Sequence, residues 1–282
     1  MTHTTPDRTA VAAGDGADVP RSHRTDRGAW TETLATKVPE VILLFWVVKI
    51  LSTTVGETAA DFLSENLGLG LPATTAIMSV LLAAALVTQL AARRYVPWVY
   101  WLTVVLVSVV GTLFSDNLVD NLGVSLWTTT AIFGAGLVVA FVAWYRSERT
   151  LSIHTIVTRR REAFYWTVIL LAFALGTSAG DLVAEKLAFG YVPSALVFGA
   201  VIALILVAHL KLGLNAVVAF WAAYILTRPF GASMGDFLTA APADGGLGLG
   251  TNATSALFLA VIIAVVAWFT VQNRRQTRGV TA

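Results

Sequence analysis

KILSTTVGETAADFLSEN, residues 49–66, decides how this chain is read. It places Lys49, Glu57 and Asp61 in or at the end of a segment otherwise apolar enough to span a membrane. An ionisable group at membrane depth costs at least a few kcal/mol when unpaired, about 2.5 or more, so each one is a functional candidate by default. The core of the stretch also recurs. Gly56 is followed five residues later by Asp61, Gly111 by Asp116, Gly176 by Asp181 and Gly231 by Asp236, each near the end of an apolar run. The chain is four copies of one unit.

Composition agrees. Of 282 residues, 56% are hydrophobic and 13% charged, and the mean hydropathy is +0.74, values that exclude an ordinary soluble domain. There is no Cys, hence no disulfide or thiolate metal site, and His numbers four. Residues 1–37 are polar, with no apolar region ahead of a small-residue cleavage site, so the reading is no signal peptide and a disordered cytoplasmic tail.

Eight spans are expected, about 39–63, 73–92, 96–119, 126–146, 163–185, 191–210, 214–239 and 253–272, each near the roughly 20 residues that cross the hydrocarbon. They pair as hairpins. GETAADFLSENLGLGLPATTAI and GTLFSDNLVDNLGVSLWTTTAI share Asn-Leu-Gly and Thr-Ala-Ile, while the third and fourth copies are more diverged. The domains expected are membrane halves 38–146 and 163–273, a cytoplasmic linker 147–162 and a cytoplasmic tail 274–282. With two spans per repeat, all four enter the membrane in the same direction, unlike inverted-repeat transporters. Lys and Arg cluster before span one and after spans two, four, six and eight, whereas Lys186 stands alone in the other loops. The positive-inside rule then puts both termini in the cytoplasm.

With that orientation, Asp61, Asp116, Asp181 and Asp236 lie toward the outer ends of spans one, three, five and seven. Glu65, Asp120 and Glu185 add a second acid one helical turn later, and Ala240 breaks the pattern in the fourth copy. The simplest reading is that these acids mark where helices emerge into headgroups. A helix C-terminus prefers cations, however, so four carboxylates there suggest a bound one. Oxygen ligands suit hard divalent ions such as Mg2+, Ca2+ or Mn2+. Glu57, Asp61, Asp116, Asp181 and Asp236 are the expected metal ligands. Cation and proton would compete for them.

Other residues carry two readings each. Thr53, Thr54 and Thr58 surround Glu57 and either join a coordination shell or back-bond and pack. The four glycines serve close helix approach. Pro229, in RPFG at 228–231, kinks or unwinds span seven before Asp236, with freed carbonyls available to a cation, and Arg228 is placed to pair with an acid of a neighbouring helix. Lys49 is either a static counter-charge, the favoured reading, or a proton-linked switch. His154 and His209 read as interfacial, TRRR at 158–161 as a topology anchor and the nine Trp as interfacial belts. No phosphate-binding loop, nucleophile elbow or His-rich motif appears, so no enzyme is expected.

K-x4-TT-x-GE-x3-D at Lys49–Asp61 and RP-x-GAS-x2-D at Arg228–Asp236 resemble a family of bacterial proteins described only as uncharacterised membrane-anchored proteins. The resemblance covers roughly 38–272 and implies a bacterial inner-membrane location and no activity. Small manganese and calcium exporters are similar in chemistry only. The expectation is an all-helical, eight-span protein of four parallel two-helix repeats, odd helices central and even ones lipid-facing. It exports a divalent cation, Mn2+ first, in exchange for protons. Its partners are the bilayer, the metal ion and protons; it holds no tightly bound cofactor, engages no nucleic acid, and homo-oligomerisation is left open. The alternatives are a monovalent-cation or proton pathway, and a non-transporting sensor or scaffold held by structural ion pairs.

Overall fold

The computed structural model describes residues 36–279, and residues 1–35, on which most of the expected N-terminal tail falls, lie outside the described residues. Among the described residues eight long helices form one compact unit. They are α1 (Leu43–Asp61), α2 (Leu71–Ala91), α3 (Pro97–Asp116), α4 (Leu126–Glu148), α5 (Arg159–Asp181), α6 (Tyr191–Leu212), α7 (Ala216–Thr239) and α8 (Thr251–Gly279). Their starts follow local chemistry. Ser125, Thr158 and Asn215 accept backbone N–H bonds at the N-caps of α4, α5 and α7, and Pro72 and Pro97 occupy first-turn positions of α2 and α3.

Seven of the eight helices are long and apolar enough to cross a membrane. The exception is α7, which has the length, 24 residues, but carries Arg228, Pro229 and Asp236 among small side chains. Pro229 neither breaks nor unwinds it: α7 runs unbroken from Ala216 to Thr239. The carbonyl that Pro229 leaves without a helical donor is that of Ile225, four residues back. Eleven residues separate Ile225 from Asp236, about 16 Å of helix rise, so that carbonyl does not serve a site at Asp236.

The odd helices form a closed ring, α1 on α3, α3 on α5, α5 on α7 and α7 on α1. In the most apolar windows of α1, α3 and α5, 61, 72 and 61% of residues are buried, against 17% in each of α2, α4, α6 and α8. That is the central-odd, peripheral-even arrangement the sequence implies. The hairpin partners, by contrast, do not pack chiefly on one another. Each even helix lies on the odd helix of the following repeat, α2 on α3, α4 on α5, α6 on α7, and α8 returns to α1. No repeat buries its own apolar face, so the fold needs all four.

The repeated glycines set the ring spacing. A Cβ on Gly56 would lie 3.0 Å from the backbone carbonyl carbon of Ser108, one on Gly111 2.7 Å from Cβ of Phe173, one on Gly176 2.9 Å from Cδ of Pro229, and one on Gly231 2.8 Å from Cβ of Thr53. Thr53, Ser108, Phe173 and Arg228 stand three residues before their own repeat's glycine. Each glycine therefore receives the corresponding residue of the next repeat, and the fourth receives the first. This is close backbone approach of the small-residue kind.

After each of the first three aspartates the helix widens into a π-turn, Phe62–Asn66, Asn117–Asn121 and Leu182–Lys186. These are closed by Leu67 N–H to Phe62 O, Leu122 N–H to Asn117 O and Leu187 N–H to Leu182 O, each 2.9 Å. Repeat four has no such turn. The stretch Gly231 to Gly248 is five residues longer than Gly56 to Gly68, and a 3-10 turn, Pro242–Asp244, takes up the excess. The chain then regains the common path: Gly248 has φ 69° and Gly68 φ 66°, while Ala188 occupies the equivalent left-handed position in repeat three at φ 56°.

The end of the ring away from the aspartates is aromatic. Trp101, Trp144, Trp166 and Trp221 are buried there with Tyr100, Tyr165 and Tyr224. Tyr100 and Tyr165 share a 2.5 Å hydroxyl contact, and Trp221 Nε1–H donates to Leu151 O at 2.9 Å. These four tryptophans are core residues and not the interfacial belt expected of them. Trp98, Trp127 and Trp268 are exposed, as a belt requires. At the same end Lys37 is buried, its Nζ 2.7 Å from Glu162 and 3.2 Å from Leu90 O, while Gln89 donates to Glu162 at 2.8 Å. Lys37 thus belongs to the folded unit, although the sequence assigns it to the tail.

Candidate functional site

Four side chains from four odd helices meet on the ring's inner face. Arg228 of α7, fully buried, donates through Nη2 to Glu57 of α1 and Thr112 of α3. The same nitrogen lies 2.7 Å from Thr177 Oγ1 of α5, and Nη1 is 3.3 Å from Thr53 O. Thr112 Oγ1–H also donates to Glu57 at 3.2 Å. Arg228 therefore pairs with an acid of a neighbouring helix, as its place in the sequence suggests. Glu57, Thr112 and Thr177 each follow their repeat's glycine, so they form one layer of the ring, and Ala232 is its fourth member. The two threonines were missed by sequence reasoning. The register that aligns the glycines is the signal that could have found them.

Above this layer stand Asp61, Asp116, Asp181 and Asp236, all half-buried. Each feels the charge of Glu57 and of at least one further acid: Asp116 that of Asp61 and Asp181, Asp181 that of Asp61, and Asp236 that of Asp61 and Asp181. Arg228 acts on Asp61, Asp181 and Asp236 as the opposing charge. Among the described residues, no protein side chain forms a hydrogen bond or ion pair with any of the four carboxylates. The four expected aspartates thus share one end of the ring, one layer beyond Glu57. No three acidic or imidazole side chains among the described residues lie close enough together to hold a metal ion as they stand.

The second acids follow a different geometry from the α-helical one expected. Glu65, Asp120 and Glu185 sit on the π-turns and are exposed. They border the aspartates electrostatically, each acting on its own repeat's Asp.

The hydroxyls near Glu57 are engaged by backbone. Thr53 Oγ1 donates to Ile50 O at 2.5 Å, Thr54 Oγ1 to Gly231 O at 3.0 Å, and Thr58 Oγ1 to Thr54 O at 3.2 Å while accepting from Ser255 at 2.5 Å. These three tie α1 to itself, to α7 and to α8. These are the backbone bonds that threonines make inside membrane helices.

Lys49 departs most from expectation. It is 1% exposed, and among the described residues it has no carboxylate at ion-pair distance. Its Nζ donates to Tyr224 O at 3.0 Å and Thr227 Oγ1 at 2.5 Å, and it stands 4.8 and 4.2 Å from the ring centroids of Phe173 and Tyr224. Arg228 takes the carboxylate instead, because it reaches Glu57 from the neighbouring helix, whereas Lys49 lies two turns along α1 from it. His209 Nδ1 contacts Leu214 O at 2.8 Å, a local loop bond.

The family profile described as Repeat of Unknown Function (DUF347) matches residues 44–95, 99–150, 164–213 and 219–275. No curated protein and no solved structure matches the chain. Each of the four segments holds one odd and one even helix, and together they span most of the sequence, so this chain belongs to the family of DUF347 repeats.

Proposed function

We propose that the protein is a secondary transporter of a divalent cation, Mn2+ first, exporting it in exchange for protons through the carboxylates of the odd helices. One observation carries the reading: four repeat-equivalent aspartates, none bonded by a protein side chain among the described residues, gather over Glu57 at one end of the ring. Carboxylates so placed repel one another unless a cation or protons stand between them. Hard divalent ions suit such oxygen donors. Because no three acids are close enough to chelate at rest, the cation draws them together, and Arg228 acts as the tethered counter-charge that holds Glu57 until the cation arrives. In this reading all eight helices span a bacterial inner membrane with both termini cytoplasmic. The arginines at the aromatic end, Arg93, Arg94, Arg146, Arg149 and Arg159–Arg161, lie on the inner side by the positive-inside rule.

A monovalent cation or a proton alone could use the same carboxylates, and the ion panel below distinguishes them. The scaffold alternative also has a specific observation in its favour, since the buried Glu57–Arg228 pair with Thr112 and Thr177 joins all four odd helices as a lock would. Transport in vesicles separates them. Purified protein in proteoliposomes should take up Mn2+ along an opposing proton gradient, in preference to Na+ or K+. Asp61→Asn should abolish uptake while leaving insertion and folding intact, Glu57→Gln should abolish it with a loss of stability because Arg228 is left buried and unpaired, and Lys186→Ala should be nearly silent. Full metal uptake by both acid variants would move the cation site elsewhere; no uptake of any ion by the wild type would favour the scaffold.

A further inference from the structure

Lys49 sits on the ring's inner side two helical turns from Glu57, about 12 Å along α1 toward the aromatic end. An ammonium has three N–H donors, a neutral amine two and a lone pair. The cage around Nζ provides two acceptors, Tyr224 O and Thr227 Oγ1, and two ring faces, Phe173 and Tyr224. Both protonation states fit it. The neutral amine has each hydrogen accepted, and the ammonium turns its third hydrogen to the rings, which attract a cation. A lysine kept only as a structural charge would be expected to hold a carboxylate, since a buried charge without one is costly.

A second, independent feature leads to the same point. A cavity of about 620 Å³ lies between α1, α6, α7 and the linker. It carries Ser152, His154 and His209 at the aromatic end of the bundle and reaches inward to Ile50 and Thr227. Ile50 is the chain neighbour of Lys49, and Thr227 is its hydrogen-bond partner. Toward the carboxylates Arg228 follows Thr227 directly, and its guanidinium faces the same Phe173 ring as Lys49, 5.9 Å from the centroid.

We propose that Lys49 is the proton-carrying group of the exchange, loaded from the carboxylate end of the ring and unloaded into this cavity. The assignment rests on the transport reading above. A proton from water at the carboxylate end forms an N–H bond on Nζ as the metal ion leaves the carboxylates, and the same bond breaks, returning the proton to water in the cavity, as the next metal ion binds. A divalent ion at Glu57 displaces the Arg228 guanidinium from its carboxylate, and like-charge repulsion from that guanidinium drives the ammonium to release its proton. The charged group acting on Lys49 is Arg228 of α7, and Tyr224 of α7 lies against its Nζ, while Glu57 stands two turns away on its own helix. On α5 the ring neighbour is Phe173, with Tyr165 and Glu162 farther toward the aromatic end, and α3 offers Tyr100 on that side. The described side chains of α8, Thr251–Val271, include no titratable group. Arginine cannot substitute, because it stays protonated.

The test uses full-length protein in proteoliposomes containing a Mn2+-sensitive and a pH-sensitive dye. Lys49→Arg and Lys49→Met are expected to retain Mn2+-for-Mn2+ exchange while the protons moved per Mn2+ fall by about one. Thr227→Val, which keeps the amine but removes an acceptor, is expected to slow proton movement roughly tenfold, and it remains decisive if neither charge variant folds. An unchanged proton-to-metal ratio in Lys49→Arg or Lys49→Met, or an unchanged proton rate in Thr227→Val, overturns the assignment while leaving the transport reading in place. A wild type that moves no Mn2+ overturns both.

Discussion

Repeats one and four differ from repeats two and three in the chemistry they bring to the ring's interior, while the helical framework up to the aspartates is common to all four. All four bring a glycine against the next repeat and an aspartate to the same end of the ring. In the layer just after the glycine, however, they place Glu57, Thr112, Thr177 and Ala232, and in the layer three residues before it Thr53, Ser108, Phe173 and Arg228. Glu57 and Arg228 of these layers, and Lys49 two turns from Glu57, thus place the buried charges of this site on α1 and α7, which are neighbours only because the ring closes. Closure makes the first and last repeats into one site. Repeats two and three contribute hydroxyls and an aromatic ring to it and no charge of their own in those layers.

The sharpest way to break this comparison is to unbalance the charged side. Arg228→Met should destabilise the fold by about 3–5 kcal/mol by leaving Glu57 buried and unpaired. The double variant with Glu57→Gln should recover most of that in thermal or SDS unfolding. An additive double variant would mean the two residues are not coupled, and the asymmetry would lose its centre.

A smaller effect is expected from the symmetric framework. Gly111→Ala puts a methyl 2.7 Å from Phe173 Cβ and 3.1 Å from the Ala174 backbone nitrogen, and such overpacking costs about 1–3 kcal/mol. Gly134→Ala meets nothing nearer than 3.8 Å and should be neutral, or stabilising by up to about 1 kcal/mol. Equal melting temperatures for the two would refute the close-approach role of the repeated glycines.

Metal binding should weaken as pH falls, because protons compete for the carboxylates that ligate the ion. For each proton displaced the loss is about tenfold per pH unit, or about 1.4 kcal/mol, below the range where the acids ionise. Calorimetric titration of detergent-solubilised protein with Mn2+ at several pH values reads this directly, and affinity that rises on acidification contradicts the carboxylate site. The smallest effect concerns repeat three alone. Ala188→Gly relieves a left-handed residue at φ 56° and should stabilise the protein by at most about 1 kcal/mol, as read by a small rise in melting temperature.

Much of this was legible in the chain itself. Twenty-residue apolar runs, the Gly-x4-Asp spacing and the distribution of arginines determine the helix count, the four repeats and the end at which the aspartates collect, because these depend on local periodicity and burial alone. The tertiary structure decided what periodicity cannot carry. Which helix an even span packs on depends on closing the ring, so α8 meets α1 from the far end of the sequence. Lys49 and Arg228 are both isolated cations in apolar helices when read in sequence, yet Arg228 takes Glu57 and Lys49 takes a carbonyl, a hydroxyl and two rings. Their partners are fixed by the relative height of α1 and α7, set by where Gly231 receives Thr53 and Gly176 receives Arg228. The tryptophans divide likewise: composition makes all nine candidates for the membrane interface, and only the shape of the ring's aromatic end puts Trp101, Trp144, Trp166 and Trp221 inside.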